Sequence, residues 1–146
     1  MTTVPHAPEP TTTRAAITAL LVLTAVMLAA LLTRTPPHPP LTVAPFALAP
    51  FLGASLAVGT AALWLSGDGT RAGRALVLLF VATALVSFGP QKYLDPAFPR
   101  IWPAVIAAQA AVAVLLAQGV VAWRASRLSD GRRDGRQTRT APPRSS

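Results

Sequence analysis

The sequence predicts an all-α protein: a polytopic transmembrane helical bundle with four membrane-spanning helices and disordered termini. Three observations predict this. Four apolar stretches, Ala15–Thr33, Leu41–Leu65, Ala72–Gly89 and Trp102–Trp123, are each close to the ~20 residues that a helix needs to cross a ~30 Å hydrocarbon core. Charged residues make up only 12% of the chain, against ~25% in an ordinary soluble domain, and they concentrate outside those stretches. Helix-ending clusters separate the stretches: Pro36, Pro37, Pro39 and Pro40, then Gly67 and Gly69 around Asp68, then Gly89 with Pro90.

A chain of 146 residues holds one domain, and too little remains outside the spans for a soluble core. The expected division is a disordered cytoplasmic head over 1–14, a four-helix transmembrane domain over 15–124, and a disordered basic cytoplasmic tail over 125–146. Head and tail are rich in Pro, Thr, Ser, Arg and Gly and poor in large apolar residues.

The first span carries no charge and is bracketed by Arg14 and Arg34. Its apolar run exceeds the ~7–15 residues of a signal-peptide core, so an uncleaved span is expected. Thr18 and Thr24 are expected to return their hydroxyls to carbonyls one turn earlier. The second span begins near Leu41, with Pro45 in its first turn and Pro50 kinking it. Gly53 and Ala57, and likewise Ser55 and Gly59, lie four apart, the spacing that lets helices approach closely in lipid. Trp64 sits at the far end, at the depth an indole prefers. The third span is the shortest. Its uncharged run, Ala75–Phe88, reaches crossing length only if Ala72 and Gly73 join it and Arg74 snorkels toward headgroups. Trp102 and Trp123 frame the fourth span, ~31 Å of helix apart, with Pro103 in its first turn. Ala104, Ala107, Ala108 and Ala111 predict tight packing within the chain.

Orientation follows from Lys and Arg near the span ends. With both termini cytoplasmic, the inner side holds Arg14, Arg71, Arg74, Arg124, Arg127, Arg132, Arg133, Arg136, Arg139 and Arg144, and the outer side only Arg34, Lys92 and Arg100. A multi-pass protein of the plasma membrane is the expectation. The formal charge of +8 therefore serves topology and adhesion of the basic tail to anionic lipid headgroups. No aromatic residue interleaves the tail arginines, so nucleic acid is not an expected partner.

Absences narrow the chemistry. There is no Cys, and both histidines, His6 and His38, lie outside the spans. Thiol redox chemistry and haem ligation by facing histidines are excluded. No carboxylate pair, Ser/His/Asp set, phosphate loop or metal-ligand cluster is present, so no catalytic residue, cofactor or metal is assigned. No ionisable residue lies inside a span except Arg74 at an edge, whereas ion-coupled transporters generally need such groups.

Candidate binding residues cluster between spans three and four: Gln91, Lys92, Tyr93, Asp95, Phe98 and Arg100. Aromatics mixed with opposite charges on a proline-stiffened loop suit a partner surface. Lys92 and Asp95 are spaced to pair on one helical turn. Equally, Tyr93, Phe98 and Trp102 fit a plain aromatic belt. Gln109 and Gln118 are the strongly polar residues deep in a span. They point to opposite faces, and each is expected to bond a neighbouring helix or, for Gln118, to reach the headgroups. The expected activity is non-enzymatic: an accessory or scaffolding subunit acting by contacts with a membrane-protein partner or a second copy. The alternative is a small oligomeric transporter or pore lined by Gln109, Ser55, Thr60 and Thr83.

Overall fold

The computed structural model describes residues 10–36 and 45–139. Helix α1 runs Pro10–Thr33, α2 Pro45–Leu65, α3 Arg71–Phe88 and α4 Phe98–Arg139, with a 3-10 turn at Pro90–Leu94 between the last two. No strand occurs among the described residues. Each of the four helices is long and apolar enough to cross a membrane: Thr11–Thr33, Phe46–Leu65, Arg71–Leu94 and Phe98–Arg127.

Two boundaries differ from the sequence expectation. Helix α1 begins at Pro10, inside the stretch read as a disordered head, because proline fits the first helical position, where its missing N–H would be unpaired anyway. Helix α4 starts a turn before Trp102 and continues to Arg139, well into the stretch read as a disordered tail. Once a helix is nucleated, each added residue gains a hydrogen bond, and no proline interrupts until Pro142. At 42 residues, α4 is roughly 63 Å long, about twice a hydrocarbon core. The proposed start at Leu41, the prolines Pro37, Pro39 and Pro40, both histidines, the first nine residues and residues 140–146 lie outside the described residues.

The helices form a closed ring: α1 packs on α2 and α4, and α3 packs on the same two. Short connections make consecutive helices antiparallel. Ile17 and Leu20 of α1, Phe80 and Ala84 of α3, and Ala108 and Leu115 of α4 meet in the core. Between 22% and 33% of each apolar window is buried, so most of the apolar surface faces outward, as lipid requires and water does not tolerate. Trp64 and Trp123 stand exposed toward one end of the ring, and Phe46 and Trp102 toward the other.

Helix α2 supplies the close approach. Ser55 and Gly59 face inward with Leu52 and Ala62. A Cβ on Gly59 would stand 2.6 Å from Phe80 Cζ and 2.7 Å from Leu21 Cδ2, so the fully buried Phe80 ring occupies the space that glycine leaves. The second small-residue row points the other way: Ala57 is exposed, and nothing lies within 4 Å of a Cβ built on Gly53. The row on α4 divides similarly, with Ala108 and Ala111 buried and Ala107 exposed. Gly59→Ala is expected to destabilise the detergent-solubilised protein by about 1–3 kcal/mol through overpacking against Phe80. Gly53→Ala should leave the unfolding temperature unchanged or slightly raised; thermal unfolding followed by circular dichroism compares the two.

Candidate functional site

The α3–α4 connection is bonded along its length. Helix α3 stops at Phe88 because Pro90 lacks an N–H and biases Gly89 to the extended backbone it adopts. The last-turn carbonyls this would strand are taken up by Gln91, whose Nε2 donates to Val86 O at 2.7 Å and Leu85 O at 3.1 Å. The chain then turns through the 3-10 segment, with Lys92 N–H donating to Gly89 O and Asp95 N–H to Lys92 O.

Asp95 opens α4. Its Oδ1 accepts the Ala97 N–H at 2.9 Å, and its carbonyl accepts the Phe98 N–H at 2.8 Å. Its Oδ2 lies 3.3 Å from Lys92 Nζ, and both side chains are largely covered, at 12% and 18% exposed. The Ala97 N–H holds the Asp95 carboxyl below its usual value; burial works against this, and the Lys92 ammonium adds to the lowering.

A second set of bonds ties the loop to the helices. The Tyr93 hydroxyl donates to Gln109 Oε1 at 2.7 Å, and Gln109 Nε2 donates to Phe88 O at 3.1 Å. The Tyr93 ring rests on Phe98 with centroids 5.1 Å apart and planes tilted by 56°. The end of α3, the turn and the body of α4 thus form one closed circuit.

Of the residues singled out from sequence, Gln91, Lys92, Tyr93, Asp95, Phe98 and Gln109 are brought together here. Arg100 projects from the first turn of α4 and makes no ion pair among the described residues. Gln118 is half-buried and makes no hydrogen bond among them. The residue that sequence reasoning passed over is Leu94, 89% exposed between Tyr93 and Asp95. Its signal was a large apolar side chain in a polar turn. What projects from the braced turn is therefore Leu94, one edge of Tyr93, Arg100 and Trp102. Lys92 and Asp95 neutralise each other, and the Tyr93 proton is already donated. Among the described residues, no group of three His, Cys, Asp or Glu could hold a metal.

In a double-mutant cycle, Tyr93→Phe and Gln109→Leu are expected to couple by roughly 0.6–2 kcal/mol of unfolding free energy, the range for polar contacts between membrane helices. Asp95→Ala should cost about 1 kcal/mol as a lost helix cap. A lowered carboxyl contributes its stability above the unfolded pKa of ~3.9 and loses it as pH falls through the folded value. The stability gap between wild type and Asp95→Ala should therefore stay constant from pH 7 to about 5 and close below about 4, as read from melting temperatures across that range.

No family model, curated protein or solved structure matches this chain.

Proposed function

We propose that this chain is a multi-pass protein of the plasma membrane, with both termini cytoplasmic, that acts by binding rather than catalysis. It is an accessory or scaffolding subunit, and the α3–α4 turn is the surface it offers to a membrane-protein partner. One observation carries this reading: every polar side chain inside the turn is spent on bracing it, while Leu94, Arg100 and Trp102 project from it. A preorganised apolar and cationic patch loses little entropy on docking. A lumen within one chain would have to be polar, yet Ile17, Leu20, Phe80, Ala84, Ala108 and Leu115 form its apolar core. Ser55, Thr60 and Thr83 each donate to a carbonyl of their own helix.

Extraction from native membranes in mild detergent should retain a partner in fixed stoichiometry, and Leu94→Asp combined with Arg100→Glu should release it without lowering the melting temperature. Reporter fusions at residues 1 and 146 should report one compartment. Solute flux from the purified protein in liposomes, with no partner retained, would favour the pore instead.

A further inference from the structure

We draw no further inference here: the strongest candidate, the outward face of α2 where Gly53, Ala54 and Ala57 lie between the exposed Phe46 and Trp64, is a row of small residues on a lipid-facing helix, and nothing in the structure shows what covers it.

Discussion

Hydrocarbon offers no partner to a peptide group, and that constraint organises this chain. Every N–H and C=O within a span must be bonded by the chain itself, which leaves the helix as the only element available here. The hydroxyls obey the same rule: Thr24, Ser55 and Thr60 each donate to the carbonyl four residues earlier, at 2.8 Å. Thr18, on an exposed face of α1, makes no such bond among the described residues. Departures from the rule fall near the helix ends. Pro50 leaves the Phe46 carbonyl without its helical donor, but Phe46 is the second residue of α2, where the interface supplies water. Arg34 takes the left-handed conformation at φ 52°, so that its own N–H and that of Thr35 return to Leu31 and Ala30 and close α1. Thr70 Oγ1 caps α3 by accepting the Gly73 N–H.

With apolar solvent outside as well as apolar side chains inside, burial of apolar area does little to drive helices together, and fit must do it. The fit is made by pairing a large residue with an absent one, as with Phe80 over Gly59. Gly73 plays the same part at the α2–α3 turn, where a Cβ would collide with the Leu65 carbonyl. Both glycines are valuable for what they let approach.

The two ends of the α3–α4 pair have opposite characters. One is braced through Tyr93, Gln109 and the Phe88 carbonyl; at the other, Arg74, Trp123 and Arg127 are exposed. A rigid end suits recognition of a fixed surface.

The sequence by itself determined the number of helices and roughly where each runs, because a span is a matter of length and hydropathy, and both are local. It also implied the Lys92–Asp95 pairing, since three residues apart on one turn is a local distance, and the inward role of Ser55 and Gly59 as one of two equivalent rows. Only the tertiary structure decided which row faces the core, because Phe80 and Leu21, which choose Gly59 over Gly53, come from other helices. It alone gave Gln109 its partners, sixteen residues away at Tyr93 and twenty-one at Phe88. The extent of α4 was not legible either: the composition of its end resembles a coil, while the energetics of extending a formed helix depend on what precedes it. By helical repeat Val112 and Gly119 share one face of α4, yet Val112 is buried and Gly119 exposed, a difference that the packing of neighbouring helices decides and the sequence does not show.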